Sequence, residues 1–342
     1  MTQSSYKSIV LSGGSFKASA FIGCYKYLEE NNLSSTIVNV IGSSAGSIVG
    51  LFICLGYTWK EMREFAAVEA AAFAAREVDI ENLFDIFDTL GIEDGVDICK
   101  VFERAIAKKK YPANITFADF AKLTGKNLVV CGSNVTKASI EYFCVDKTPQ
   151  MEVVQAIRIS VALPLVVRPV FLNDMLYVDA SLFNNFPIEY FHDNEKPFTD
   201  TIALLVSSGD MANTTSSDIN LLSYLSLILD SVFERLNKKE PKLVHDNTSN
   251  KVVKILLEDG KSMFDLNTFK LHMDTAILDD YIERGYEVCK ENHRPLTPTS
   301  SDDDDEEPIE PVIPIAFQAE AEAEAVDVVT KDFRAARLTL PV

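Results

Sequence analysis

The sequence predicts an α/β fold, with a mainly parallel central sheet, helices on both faces and a disordered acidic C-terminal tail. Three observations predict it. Short apolar runs bounded by turn residues alternate with segments of helical period from the start of the chain. Two of these runs end in turns of small residues that open helices, Ser12-Gly13-Gly14 and Gly42-Ser43-Ser44-Ala45-Gly46. From Pro295 the composition changes: 12 acidic and 3 basic residues carry −9 of the chain's net −19, leaving −10 for the body.

The elements follow in order. Ser8–Leu11 reads as a buried strand, ended by its Ser-Gly-Gly turn. Phe21, Ile22, Tyr25 and Leu28 give a helical period over about Ala18–Glu30. A second strand, Ile37–Ile41, breaks at Gly42, and a helix resumes through Ile48, Val49, Phe52 and Leu55. This β-α-β-α order implies parallel pairing. Residues from about 58 to 125 read as largely helical, punctuated at Gly91 and Gly95. Strands are predicted at Asn127–Cys131, Glu141–Val145, Val166–Leu172, Met175–Val178, Ile202–Val206 and Val252–Leu257. Helices are predicted over Val153–Ile159, about Ile219–Leu236 and about His272–Asn292. In the tail, Asp302–Glu307 is an unbroken acidic run followed by Pro308, Pro311 and Pro314, a pattern that predicts disorder.

Composition narrows the function. With 47% apolar residues the chain can bury a sizeable core, and its acidic body argues against nucleic acid as a partner and against docking by charge onto anionic lipid. The six cysteines, Cys24, Cys54, Cys99, Cys131, Cys144 and Cys289, show no metal-ligand spacing and read as buried thiols. Ile37–Gly56 is 20 residues without a charge, long enough for a membrane span, but its glycines and serines fit a strand, turn and buried helix better. Met1–Ser8 lacks the pattern of a signal peptide, so an intracellular location peripheral to membranes is expected.

Three segments carry chemistry. Gly42-Ser43-Ser44-Ala45-Gly46 fits G-x-S-x-G between a strand and a helix, a turn that projects the Ser44 hydroxyl toward the helix N-terminus. Gly13-Gly14-Ser15 presents backbone N–H groups to an anion, either a nucleotide phosphate or an acyl-enzyme oxyanion. Lys17 adds positive charge there or is an ordinary solvated lysine. Asp179, after the strand Met175–Val178, is placed to reach the sheet's carboxyl edge or simply to cap a turn.

Together these residues resemble the patatin-like phospholipases. The resemblance rests on LSGGSFK at Leu11–Lys17, GSSAG at Gly42–Gly46 and YVDASLFNNFPI at Tyr177–Ile188. It is joined by LGIEDG at Leu90–Gly95 and AIRISVALPLVVRPV at Ala156–Val170. It implies a patatin-like core over residues 7–192, completed by 193–294 in the same domain and followed by the tail 295–342. It also implies a lipid acyl hydrolase with Ser44 as nucleophile, Asp179 as general base and Gly13, Gly14 and Ser15 as oxyanion loop. A membrane or lipid-droplet surface would supply substrate, and the chemistry needs no metal and no cofactor. The chain departs from the family at Ser15 and Ala18, where glycines are usual, and at Ala180, where a glycine follows the aspartate. Two other readings stand beside this one. In a Ser-His-Asp esterase, His192, His245, His272 or His293 would complete a triad; in a catalytically weakened scaffold, the altered glycines would leave only binding.

Overall fold

The computed structural model describes residues 5–74, 86–207, 250–257 and 275–293, together with Tyr224, Ile228 and Ser231. The chain opens with β1 (Ser8–Leu11), a 3-10 turn over Ser15–Ser19, α1 (Ala20–Glu30), β2 (Asn39–Gly42) and α2 (Ala45–Cys54). There follow α3 (Trp59–Ala74), α4 (Ile86–Thr89), β3 (Gly91–Glu93), α5 (Val96–Lys108) and α6 (Phe117–Thr124). Then come β4 (Asn127–Asn134), β5 (Ser139–Phe143), α7 (Val153–Ser160), β6 (Leu165–Val167), β7 (Val170–Leu172) and β8 (Met175–Val178). The described part closes with α8 (Ser181–Asn184), α9 (Tyr190–Asp193), β9 (Thr201–Ser207), β10 (Lys251–Leu256) and α10 (Thr275–Asn292). The tail and most of the helix predicted over Ile219–Leu236 lie outside the described residues.

The large sheet runs β10-β9-β1-β2-β4-β8-β7, with β5 also paired to β4. Its β10-to-β4 half is parallel, whereas β5, β8 and β7 join antiparallel. Both faces of β1, β2, β4 and β9 are buried. Ile9 and Leu11, Val40, Leu128 and Val130, and Ile202 and Leu204 point into one core cluster. Val10, Ile41, Val129 and Ala203, which alternate with them, point into a second. Successive strand side chains face opposite ways, so a strand buried on both faces reads as a continuous apolar run rather than an alternating one. The first core is completed by residues of α1, α2, α7 and α10, and the second by Ala180, Ile188, Tyr190 and Phe191 of the segment after β8.

Two details differ from the sequence expectation. The apolar stretch Val166–Leu172 is two strands, β6 and β7, separated by Arg168-Pro169. The first pairs with β3 in a small separate sheet and the second with β8. Strand β3 itself is only Gly-Ile-Glu, too short to carry a periodicity, and lies in a stretch expected to be helical. The uncharged run Ile37–Gly56 holds β2, its turn and α2, and no helix among the described residues is long and apolar enough to cross a membrane.

Candidate active site

Strands β1 and β2 end level with each other, Leu11 opposite Gly42, so the turns that follow them leave the same edge of the sheet. After Gly42 the chain reverses through Ser43 and Ser44 into α2. Ser44 takes φ 48° and ψ −126°, a conformation that non-glycine residues hold only when their surroundings impose it. Here the imposing feature is close packing. A Cβ on Gly46 would strike the carbonyl oxygen of Ser12 and lie 2.5 Å from that of Leu11, and one on Gly42 would lie 2.5 Å from Ser47 Cα. Helix α2 therefore presses directly on the sheet, and the hydroxyl of Ser44 is turned outward above its N-terminus.

Asp179 reaches this hydroxyl by an indirect route. Strand β8 is antiparallel to β4, which runs past the level of Gly42↔Val130 as far as Asn134. Because β4 overshoots, β8 can run back along it, pairing Val178 with Ser133, and deliver Asp179 to the Ser44 hydroxyl. The Ser44 hydroxyl donates to Asp179 Oδ2 at 2.6 Å, and the Ser181 N–H donates to Oδ1 at 2.8 Å. Asp179 is 2% exposed. Burial pushes its carboxyl up to about 6, against the hydrogen bonds from Ser44 and Ser181 that favour the charged form. The aspartate thus keeps a proton affinity near that of a histidine.

The glycine-rich turn packs against the segment that follows Asp179. Gly13 N–H donates to the carbonyl of Asn185 at 2.9 Å, and the Ser43 hydroxyl donates to that of Asn184 at 2.9 Å. The Gly13 amide is therefore spent inside the protein, which corrects its expected place as an oxyanion donor. What Gly13 contributes is space: a Cβ there would strike Ser181 Oγ and Asn185 Oδ1 and lie 3.2 Å from Ser44 Cβ. Gly14 and Ser15 line the cavity beside Ser44. Lys17 is 1% exposed, so it is not a solvated lysine.

The family departures resolve differently. Ala180 sits at φ −59° in ordinary helical conformation, and its methyl is buried in the second core, so alanine replaces glycine there without strain. Ser15 holds φ 49°, the left-handed region that glycine occupies freely. Ser15→Gly is expected to preserve activity. It removes a left-handed penalty of about 1–2 kcal/mol and adds about 0.4–1 kcal/mol of unfolded-chain entropy, for a small net gain in Tm by thermal denaturation.

Ser44, Asp179, Gly14 and Ser15 open onto a cavity of about 360 Å³, walled largely by apolar side chains, among them Ile22, Ile48, Phe52, Phe65 and Phe102. Glu93 of β3 and Val166 and Val167 of β6 also line it. Arg158 braces that wall by donating to the carbonyls of Asp94 at 3.0 Å and Arg168 at 2.6 Å. The two described histidines do not line the cavity. The His192 side chain is 78% exposed beside Asp193, and His293 is hydrogen-bonded to the Tyr6 hydroxyl at 3.0 Å. His245 and His272 lie outside the described residues.

A model of the family described as patatin-like phospholipase matches residues 9–192, more than half of the chain and both members of the Ser44–Asp179 pair. The chain belongs to the patatin-like phospholipase family. Among curated proteins it is 30% identical over 187 residues to a "Probable lipid hydrolase" of Invertebrate iridescent virus 6, a match covering 54% of this chain and 62% of that one. It is 29% identical over 216 residues to the uncharacterized protein YqhO of Bacillus subtilis, covering 55% and 67%. Among solved structures, VipD from Legionella pneumophila aligns over 84% of this chain and 66% of its own, with 14% identity and a TM-score of 0.46. ExoU in complex with SpcU from Pseudomonas aeruginosa aligns over 85% and 51%, with 18% identity and a TM-score of 0.42.

Within this patatin-like chain, three contributors to the site carried no signal in the sequence motifs. Ser181 holds the second oxygen of Asp179 through its amide, Asn185 receives the Gly13 amide, and Ser160 receives that of Ser44. The first two lie in the YVDASLFNNFPI stretch and Ser160 in AIRISVALPLVVRPV, where the resemblance marked the segments but not the contacts. In the first and the second it is a backbone group that acts, so side-chain chemistry gave no clue.

Proposed function

We propose that this chain is a lipid acyl hydrolase that cleaves fatty acyl esters of the phospholipase A or lysophospholipase kind through an acyl-enzyme on Ser44. The observation that carries the reading is the 2.6 Å hydrogen bond from the Ser44 hydroxyl to a buried Asp179, at the wall of a largely apolar cavity. Asp179 takes the hydroxyl proton as Ser44 Oγ attacks the ester carbonyl. The amides of Gly14 and Ser15, together with the N-terminus of α2, face the oxyanion that develops; loss of one such donor is worth about 2.7–4 kcal/mol of barrier. Collapse of the tetrahedral species passes the proton to the departing alcohol. Water, deprotonated by Asp179, then releases the fatty acid. The apolar walls suit an acyl chain. A membrane or lipid-droplet surface is the proposed source of substrate.

Hydrolysis of a panel of phospholipid, lysophospholipid and neutral lipid esters, wild type beside Ser44→Ala, tests this. The wild type is expected to release fatty acid and to be labelled by a fluorophosphonate probe, and Ser44→Ala to fold normally, escape the label and show no turnover. Substantial hydrolysis by purified Ser44→Ala would end the assignment.

A further inference from the structure

Ser160 is the last residue of α7 and is wholly buried, with apolar neighbours on both sides in sequence. A polar side chain in such a place needs a partner. Its Oγ accepts the N–H of Ser44 at 3.0 Å, and its carbonyl accepts the N–H of Ala180 at 3.2 Å. Two residues on, the carbonyl of Ala162 accepts the N–H of Asp179 at 2.9 Å. One helix end therefore grips the backbone of the nucleophile on one side and that of the base on the other. These backbone ties add to the side-chain bonds from Ser44 to Asp179 and from Ser43 to Asn184, and they bridge two strands, β2 and β8, that are separated in the sheet by β4.

The grip matters because of the conformation it holds. At φ 48° and ψ −126° the Ser44 backbone is in a region that relaxes unless neighbours fix it. Its N–H stands at the reversal between β2 and α2, and the Ser160 hydroxyl is the acceptor that meets it there. We propose that Ser160 is a positioning residue for ester hydrolysis: its hydroxyl locks the Ser44 turn in register with Asp179, setting the alignment of the nucleophile rather than touching substrate. The proposal rests on Ser44 being the nucleophile.

The test is steady-state kinetics and fluorophosphonate labelling of Ser160→Ala, with Ser44→Ala alongside. Ser160→Ala is expected to lower kcat about 10–100-fold, the scale of a small misalignment of reacting atoms, with KM within about twofold of wild type. The rate of Ser44 labelling falls in parallel. The pair Ser160→Thr and Ser160→Val separates the hydroxyl from packing, because the two side chains share a shape and only threonine keeps the acceptor. The threonine variant is expected to be at least about 10-fold faster than the valine variant at matched thermal stability. Wild-type kcat and labelling rate in Ser160→Ala, or equal rates in the threonine and valine variants, would overturn the positioning role and leave the nucleophile intact. An active Ser44→Ala would instead remove the functional reading on which it stands.

Discussion

Asp179→Asn is expected to reduce kcat by about 10⁴-fold, the scale on which removal of a triad member is felt in serine hydrolases, while yielding a protein at least as stable as wild type at neutral pH. The two halves of that expectation have one cause. Burial raises the carboxyl from 3.8 to about 6, which makes it a competent base and also makes its charge unwelcome. At about 1.36 kcal/mol per pKa unit, the ionised side chain carries a penalty of about 3 kcal/mol. The folded pKa lies above the unfolded one, so the native state holds the proton more tightly. The stability that protonation gives is fully present below pH 4 and is lost as pH rises through about 6. An amide has no charge to bury and escapes that loss. It cannot accept the serine proton, so activity goes. In the wild type, kcat should climb with pH through about 6 as Asp179 ionises, and the residual rate of the variant should lack that limb. A pH–rate profile and a thermal melt at pH 5 and pH 8 measure both. An active Asp179→Asn, or one markedly less stable at pH 8, would contradict the account.

Gly46→Ala is the second large effect. A methyl at this position meets backbone rather than flexible side chain: the carbonyl oxygen of Ser12 and, at 2.5 Å, that of Leu11. Neither can yield without moving β1 or its turn, and that turn carries Gly14 and Ser15 to the cavity. Overpacking of this kind costs about 1–3 kcal/mol and occasionally more. At about 2–4 °C per kcal/mol for a domain of some 150–250 residues, the melting temperature falls by several degrees. Activity is expected to fall further than stability does, by about 10²-fold, because the displacement separates Ser44 from the amides proposed to face the oxyanion. Calorimetry beside kcat shows whether the two losses come together; a variant with wild-type rate and melting temperature would mean that α2 does not press on the sheet as described.

Much of this site was legible in the sequence because its parts are local. Gly42–Gly46 and Gly13–Ser15 each announce a turn by composition alone, and β1 and β2 bring them to one edge by the rule of parallel crossover. Asp179 was legible as an acid after an apolar strand, but not the direction of that strand. Pairing direction is set by the overshoot of β4, and the apolar residues of β4 look alike whether it ends at Cys131 or Asn134. Ser160 was hidden for another reason. Its segment resembled the family's, yet a lone serine at a helix end has no periodicity, and its partner lies 116 residues away. The strain at Ser15 was equally invisible, because only backbone angles separate it from the harmless substitution at Ala180.

Ser44 and Asp179 stand 135 residues apart in the chain. At about 5–20 residues per second of synthesis, roughly 7–27 s pass between the emergence of Ser44 and that of Asp179. In that interval the strands and turn that carry Ser44 are already made, while for most of it neither Ser160, whose hydroxyl accepts the Ser44 N–H, nor the carboxylate that meets the Ser44 hydroxyl yet exists. Docking of β8 onto the overshooting end of β4, through the pairs Ser133↔Val178 and Asn134↔Tyr177, is the event that completes the pair. On the proposed mechanism the nascent chain is inert by topology: a half-made copy carries Ser44 without the carboxylate that would take its proton.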